Sequence, residues 1–241
     1  SPERVLIDEN ESVNEVAIGN NHKCALTDSK KIFCWGNNNY GQSLLPHSGS
    51  VNIPTEVEMD SDIVPVSISG KQEHTCILNQ NGAVYCWGYN AYGQLGDGTT
   101  TNRNEMVQSI LPSSDPAVYL VAGYTHSCAL LESGDMRCWG RNHQGQLGVK
   151  SNTPVSYQYP TDVLDLPLEP ISFDLGFEHT CALLKTQTSL CWGMNNYGQL
   201  GDGTTIGFHT ASYNGNHKQV LTNYNSQTFE NSLELSVGYG T

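Results

Sequence analysis

A short motif occurs four times in this chain at nearly constant spacing, and it limits the possible folds more than any other feature. Each copy has His-x-Cys, then a second Cys ten residues after the first within Cys-Trp-Gly, and then Asn-x-x-Gly-Gln. The copies begin 52, 52 and 53 residues apart, counted between their first cysteines Cys24, Cys76, Cys128 and Cys181. Repeats of this length are typical of propellers and solenoids. We therefore expect residues 1–241 to form a single repeat domain.

The repeats account for nearly the whole chain. Four full copies are expected, and the last residues resemble the opening of a fifth copy that stops before its cysteines. The expected boundaries are 14–65, 66–117, 118–170 and 171–234, with the start of a fifth repeat at 235–241.

The eight cysteines form four pairs with the same interval. If Cys24 and Cys34 face each other on an antiparallel hairpin, the same register pairs Ala25 with Phe33. Opposed strand residues have Cα atoms about 4.5–5.5 Å apart, within the range of a disulfide. Buried free thiols and zinc are the alternatives, and zinc is disfavoured because each hairpin offers only three ligands and no Cys-x-x-Cys. We predict the disulfides Cys24–Cys34, Cys76–Cys86, Cys128–Cys138 and Cys181–Cys191.

The same register leaves a three-residue turn in each hairpin. Such turns typically end in a residue with positive φ, which suits glycine. That place falls on Gly82 and Gly134 in the second and third repeats, but on Lys30 and Gln187 in the first and fourth. We therefore expect the first and fourth turns to be looser or of another type.

Both faces of each hairpin are substantially apolar. The cysteines lie on one face and the tryptophan of Cys-Trp-Gly lies on the other, as expected for a sheet packed between similar sheets. Two more extended segments fit between consecutive hairpins, for example Glu105 to Gln108 and Val118 to Ala122, which gives about four strands per repeat. No stretch has the 3.6-residue periodicity of a long helix. The sequence therefore predicts an all-β protein, a β-propeller of four-stranded blades.

Net charge disfavours a nucleic acid partner, and hydropathy disfavours a membrane-spanning segment. Acidic residues outnumber basic residues 24 to 11, which gives a net charge of −13. Such a charge repels a phosphate backbone, so we expect no nucleic acid partner. The longest apolar stretches are far shorter than the roughly 20 residues that cross a bilayer, so we expect no membrane span.

The third copy resembles the repeat of the regulator of chromosome condensation family. The matching residues run from Val121 to Leu130, then through Cys138-Trp139-Gly140, and then through Asn142-x-x-Gly145-Gln146-Leu147-Gly148. The segment from Gly93 to Thr100, which recurs as Gly198 to Thr205, resembles the same repeat. The resemblance implies a β-propeller, commonly of seven blades in that family. The paired cysteines resemble its extracellular branches. Because only four full copies are present, the chain is interpreted as a fragment of a larger ring or as part of a ring that another chain completes.

No catalytic, cofactor-binding or metal-binding residue is expected. The repeat histidines have a fixed place beside the hairpin and no local catalytic partner, which favours a hydrogen-bonded structural role. The Asn-x-x-Gly-Gln amides are expected to satisfy turn backbone. Asp97-Gly98 and Asp202-Gly203 lack the alternating carboxylates of a calcium loop, so they are interpreted as tight turns.

The loops that carry Asn-x-x-Gly-Gln supply the candidate partner-binding residues. Equivalent loops of a propeller lie on one rim, and Tyr40, Tyr92, His143 and Tyr197 are expected to occupy the same repeat position there. They would form an arc of binding anchors, with packing against their own loops as the alternative. The stretch from Phe208 to Phe229 lengthens the fourth connection and is either a recognition loop or a closure device.

These features favour a non-catalytic module that presents its rim loops to a protein partner in a secreted or cell-surface assembly. The partner is a separate protein, or another chain that completes the propeller. The family resemblance supplies a second hypothesis, a guanine nucleotide exchange factor for a small GTPase. A carbohydrate-binding propeller is the third, and no acid–base pair or nucleophile motif indicates an enzyme.

Overall fold

In the computed structural model, the described residues form β-strands and turns arranged as four antiparallel sheets of four strands each. No helix in this part of the chain is long or apolar enough to cross a membrane. The description covers residues 5, 7–46, 49–149, 155–163, 166, 169–186, 188–206 and 218–219.

Each sheet is one blade, and its strands follow one another in chain order. Blade 1 contains β1 (Val13–Ile18), β2 (His22–Thr27), β3 (Ile32–Asn37) and β4 (Ser50–Glu56). Blade 2 contains β5 (Pro65–Lys71), β6 (His74–Asn79), β7 (Val84–Gly88) and β8 (Arg103–Gln108). Blade 3 contains β9 (Ala117–Ala122), β10 (His126–Leu131), β11 (Met136–Arg141) and β12 (Ser156–Asp162). Blade 4 contains β13 (Pro170–Leu175), β14 (His179–Leu184), β15 (Ser189–Gly193) and β16 (Lys218–Gln219).

The four predicted disulfides are confirmed. In blade 1, Cys24 lies directly opposite Cys34 and Ala25 lies opposite Phe33. The Cα–Cα distance is 4.1 Å in every pair, and no described cysteine is free. All eight cysteines are buried. In blades 1 to 3 they share a core cluster with residues of the following blade.

The hairpin turns keep one geometry even where glycine is absent. Gly82 and Gly134 have φ values of 78° and 92°, as the register predicts. Lys30 adopts a φ of 68° at the same place, and its N–H donates to Thr27 O at 3.0 Å as the Gly82 N–H donates to Asn79 O. The expectation of a different first turn was wrong, because the strand register fixes the turn and Lys30 accepts the strained conformation. Gln187 lies outside the described residues.

The core lies between the blades. Trp87, Trp139 and Trp192 are at most 1% exposed, and Trp139 packs in one cluster with Leu95 of the preceding blade. The innermost strands β1, β5, β9 and β13 lie side by side and line an inner groove of about 600 Å³. This stacking of blades around a groove confirms the propeller architecture predicted for the four full repeats. The segment 235–241 lies outside the described residues, as does the connection from 208 to 229 apart from Lys218 and Gln219.

Candidate protein-binding rim

The Asn-x-x-Gly-Gln loops follow the third strand of each blade and are fixed by their own amide side chains. In blade 2, Asn90 Oδ1 accepts a hydrogen bond from Leu95 N at 3.0 Å, and Gln94 Oε1 accepts one from Tyr92 N at 3.1 Å. The other three loops repeat both contacts. The interpretation of these amides as structural is therefore confirmed, and the loops have well-defined shapes.

The backbone carbonyl of the same glutamine joins each blade to the next. Gln94 O accepts hydrogen bonds from Trp139 Nε1 at 2.8 Å and from Ser127 Oγ at 2.9 Å, both in blade 3. Equivalent donors from the following blade reach the carbonyls of Gln42 and Gln146. The tryptophans are thus held by a directed contact as well as by burial, and this places the rim loops of adjacent blades in a fixed relation.

The repeat histidines complete this contact. His74 Nε2 lies 3.0 Å from Ser127 Oγ, and because the Ser127 hydroxyl donates its single proton to Gln94 O, His74 Nε2 must be the donor. His22 and His126 make the same contact with Thr75 and Thr180 of the following blade.

Burial keeps these imidazoles neutral. Desolvation lowers the pKa of His74 and His126 to about 3 and the pKa of His22 to about 4, and it also lowers the pKa of His179. A group with so low a pKa is a poor general base near neutral pH. His22, His74 and His126 therefore have the hydrogen-bonded structural role predicted for them, and His179 is buried like them.

The two Asp-Gly segments are tight turns. Asp97 Oδ1 accepts from Thr99 N at 3.0 Å, and Asp97 Oδ2 accepts from Arg103 Nη2 at 2.7 Å. Although burial acts to raise it, the pKa of Asp97 is lowered because hydrogen bonds from Thr99 and Arg103 outweigh that effect. Asp202 accepts from Thr204 N in the same way. Both carboxylates are therefore used within their own loops.

A continuous row of aromatic and cationic side chains crosses the rim of blades 1 to 3. Tyr40 and Tyr89 pack edge to face with ring centroids 5.0 Å apart, and Tyr89 and Tyr92 do so at 6.3 Å. The Arg141 guanidinium lies 5.0 Å from the centre of the Tyr92 ring, and Arg141 Nη1 is 2.7 Å from Glu178 Oε1. We name Tyr40, Tyr89, Tyr92 and Arg141 the aromatic ridge.

The structure brings together two of the four predicted anchors. Tyr40, which is 42% exposed, and Tyr92 belong to the ridge, whereas Tyr197, 70% exposed, lies on blade 4 outside it. The expected equivalence of His143 was wrong. Gln144 N donates to Gln146 Oε1, as the backbone N–H of the tyrosine does in the other three copies. Gln144 therefore occupies the position of the tyrosines, and His143 is the exposed residue before it.

Sequence reasoning missed Tyr89 and Arg141. Both directly follow Cys-Trp-Gly, at a position where the first and fourth copies have Asn37 and Met194. The variation at this one position of an otherwise regular repeat was the sequence signal that could have pointed to these two residues. Without the structure, nothing indicated that this position contacts the tyrosine of an adjacent loop.

The fold and the rim define a β-propeller repeat protein with a row of aromatic side chains on its loops. Two family models, both for the "Regulator of chromosome condensation (RCC1) repeat", match the chain. The first matches residues 13–42, 66–94, 118–146 and 171–199, and the second matches 81–130 and 133–183. The chain belongs to the RCC1 repeat family, as its motif resemblance predicted.

Relatives confirm this assignment over most of the chain. The ultraviolet-B receptor UVR8 of Arabidopsis thaliana is 26% identical over 215 residues, which cover 85% of this chain and 46% of UVR8. The probable E3 ubiquitin-protein ligase HERC4 of Mus musculus is 33% identical over 197 residues, covering 79% of this chain and 18% of HERC4. The chain thus spans about half or less of the length of these relatives.

Solved structures agree on the fold. Yeast RCC1 (Prp20), in a complex with Kap60, has a TM-score of 0.79 at 18% identity and covers 92% of this chain and 52% of its own. Human WBSCR16 has a TM-score of 0.76 at 23% identity, covering 89% of this chain and 54% of its own. At these identities the likeness concerns the propeller architecture.

Proposed function

We propose that this chain is a non-catalytic interaction module that binds a protein partner through the aromatic ridge. The observation that carries the proposal is the continuous contact of Tyr40, Tyr89, Tyr92 and Arg141 across three blades. Tyrosine and arginine are enriched among the residues that dominate binding energy at protein interfaces. Because these side chains already support one another, ordering them on binding costs little conformational entropy.

The chemistry of the rim supports a binding role over an enzymatic one. A general acid or base needs access to substrate and a pKa near the working pH. The repeat histidines are buried and their pKa values are lowered, and Asp97 is engaged within its own turn. HERC4 is named as a probable ligase, but this chain matches only 18% of it.

We place the module in a secreted or cell-surface assembly because four buried disulfides occur in one regular set. Disulfides form and persist in oxidising compartments and are rare in the cytosol. Counting free thiols in unfolded, unreduced protein from its native source tests this placement. We expect none, and eight reactive thiols would refute it.

A second candidate partner is a chain that packs against the outward face of blade 1. Val16 and Ile18 on β1 are 46% and 62% exposed, and Trp35 is only half-buried, unlike the other three tryptophans. This face presents the same tryptophan that faces the neighbouring blade elsewhere, which supports a partner shaped like another blade.

Alanine variants of the ridge test the leading proposal. Tyr40→Ala and Tyr92→Ala are each expected to lower the affinity for a co-purifying protein partner by about tenfold or more. A loss of this size is typical when one binding anchor is removed. Thermal stability should change little because neither side chain is fully buried: Tyr40 is 42% exposed and Tyr92 is half-buried. Tyr197→Ala is the matched control outside the ridge, and it should retain the partner.

Other outcomes would favour other functions. Equal loss of binding with Tyr197→Ala, or retention of the partner by both ridge variants, contradicts the ridge as the binding surface. Stimulated nucleotide release from a small GTPase would instead support an exchange factor. Specific binding on a glycan array would support a carbohydrate-binding propeller.

A further inference from the structure

The end of β5 and the turn that follows it depart from the repeat. Where the other copies have Gly19, Gly123 and Gly176, three residues before the repeat histidine, blade 2 has Lys71. A Cβ atom at Gly19 would lie 2.1 Å from Cε1 of its own histidine, and one at Gly176 would lie at 2.2 Å. The regular backbone of the other copies therefore has no room for a side chain here.

Blade 2 accommodates Lys71 with an altered backbone. Gln72, the next residue, has a φ of 48°, a left-handed conformation that residues with a Cβ rarely adopt. The buried Gln72 Oε1 has no hydrogen-bond partner. Local costs of this kind persist only where the surrounding structure compensates them.

The first compensating contact crosses the inner groove. Lys71 Nζ lies 3.0 Å from Asp174 Oδ1 and also donates to Leu175 O, both on β13 of blade 4. The ion pair is mostly shielded, with 34% of the Lys71 side chain and 16% of the Asp174 side chain exposed.

Asp174 is itself a departure from the repeat. The equivalent residues opposite the first cysteine are Ala17, Ser69 and Val121. Two exceptional residues, 103 positions apart in the chain, therefore meet across the groove. Their contact links blade 2 directly to blade 4 without passing through blade 3.

The two residues of the turn, Gln72 and Glu73, contact blade 1. Gln72 O accepts a hydrogen bond from Asn20 N at 2.8 Å. Glu73 accepts from Asn21 Nδ2 at 3.3 Å and from Gln42 Nε2. Three consecutive residues of blade 2 thus hold blade 1 on one side and blade 4 on the other.

We propose that Lys71-Gln72-Glu73 is a clasp that locks blades 1, 2 and 4 into one rigid body and fixes the width of the inner groove. The strained backbone at Gln72 is the cost of placing Lys71 where it reaches Asp174. By fixing blade 4 relative to blade 2, the clasp also holds Glu178 within ion-pair distance of Arg141 in the aromatic ridge. The clasp does not depend on the identity of any binding partner.

Hydrogen exchange of the full chain, read by mass spectrometry, tests the clasp. Lys71→Met removes the ammonium group and is expected to raise amide exchange in β13 of blade 4 by about two- to fivefold, the range for a partly exposed ion pair. Glu73→Gln should instead raise exchange in the Asn20-Asn21 turn of blade 1. Lys71→Arg, which keeps the charge, should restore most of the protection in β13.

Two further variants make the result decisive. Lys71→Gly restores the residue of the other copies, so it should fold with little change in melting temperature yet still lose protection in β13. Arg137→Met breaks an ion pair with Asp162 inside blade 3 and should leave β13 unchanged. Exchange that rises only within blade 2, or rises equally with Arg137→Met, would overturn the proposal.

Discussion

The interfaces between blades and the outward face of blade 1 are built from the same motif with different results. At each internal interface a glutamine carbonyl accepts from the tryptophan and the hydroxyl of the next blade. On the outward face of blade 1, Trp35 is half-buried, and Lys23 occupies the place of Thr75, Ser127 and Thr180. Lys23 Nζ turns back to Gly19 O of its own blade at 3.4 Å.

The difference shows that a blade derives its stability from its neighbours as well as from its own strands. The hairpin of blade 1 carries the same disulfide and the same register as the other hairpins. Its tryptophan is nevertheless only half-buried, whereas the tryptophan is fully buried where a preceding blade packs against it, as Leu95 does against Trp139. Stability in repeat proteins is close to a sum of intrinsic and nearest-neighbour contributions. The following three predictions test that sum.

The largest effect of any single side chain is expected from the tryptophans. Trp139→Ala should lower the free energy of unfolding by about 3–5 kcal/mol, because it leaves a cavity between blades 2 and 3. Trp35→Ala should cost less than about half of that, because the side chain is already partly hydrated. Denaturant titration of both variants measures the difference, and equal losses would contradict the comparison.

Acid should weaken the internal interfaces next. Each buried histidine has a folded pKa below its unfolded value of about 6.5, so its contribution to stability is complete above that pH and is lost as the pH falls. For His74 and His126, whose pKa is lowered to about 3, the loss approaches roughly 3 kcal/mol each at pH 4. The free energy of unfolding measured from pH 7 to pH 4 should therefore fall steeply.

His126→Gln provides the control for the acid prediction. Whatever its effect at pH 7, this variant should show a shallower pH dependence between pH 6.5 and pH 4 than the parent protein, because one titrating group is gone. An unchanged slope would show that other groups cause the acid sensitivity.

The smallest effect should come from the hydroxyl position. Thr180→Val removes the hydroxyl between His126 Nε2 and Gln146 O. It should cost about 1–2 kcal/mol, because the buried His126 Nε2 loses its partner while Gln146 O keeps only the bond from Trp192 Nε1. Lys23→Met at the equivalent outward position should change stability by less than about 0.5 kcal/mol. Thermal unfolding of the pair measures the contrast, and a larger loss for Lys23→Met would reverse it.

Local regularities were readable from the sequence. The ten-residue interval predicted the disulfides and the register, and Gly82 and Gly134 marked the turns, because these contacts lie within one hairpin. The structural role of the histidines also followed from the motif. Their hydroxyl partners did not, because His74 and Ser127 are 53 residues apart and meet only when two blades pack.

The aromatic ridge and the clasp were beyond the reach of the repeat pattern because both use residues that break it. Tyr89 and Arg141 stand at a variable position after Cys-Trp-Gly. Lys71 and Asp174 replace a glycine and small or apolar residues, and their meeting depends on the curvature of the blades around the groove. Departures from a repeat mark such residues, and the fold then determines which of them come together.

The covalent cross-links have a mechanical consequence. Every disulfide joins residues ten positions apart within one blade. If the molecule were stretched from its two ends, each disulfide would carry the force and the residues between its two cysteines would not be extended. The maximum extended length would therefore be shorter by about 30 Å for every blade. Neighbouring blades would separate by breaking noncovalent contacts alone, and a reducing agent would release the hidden length.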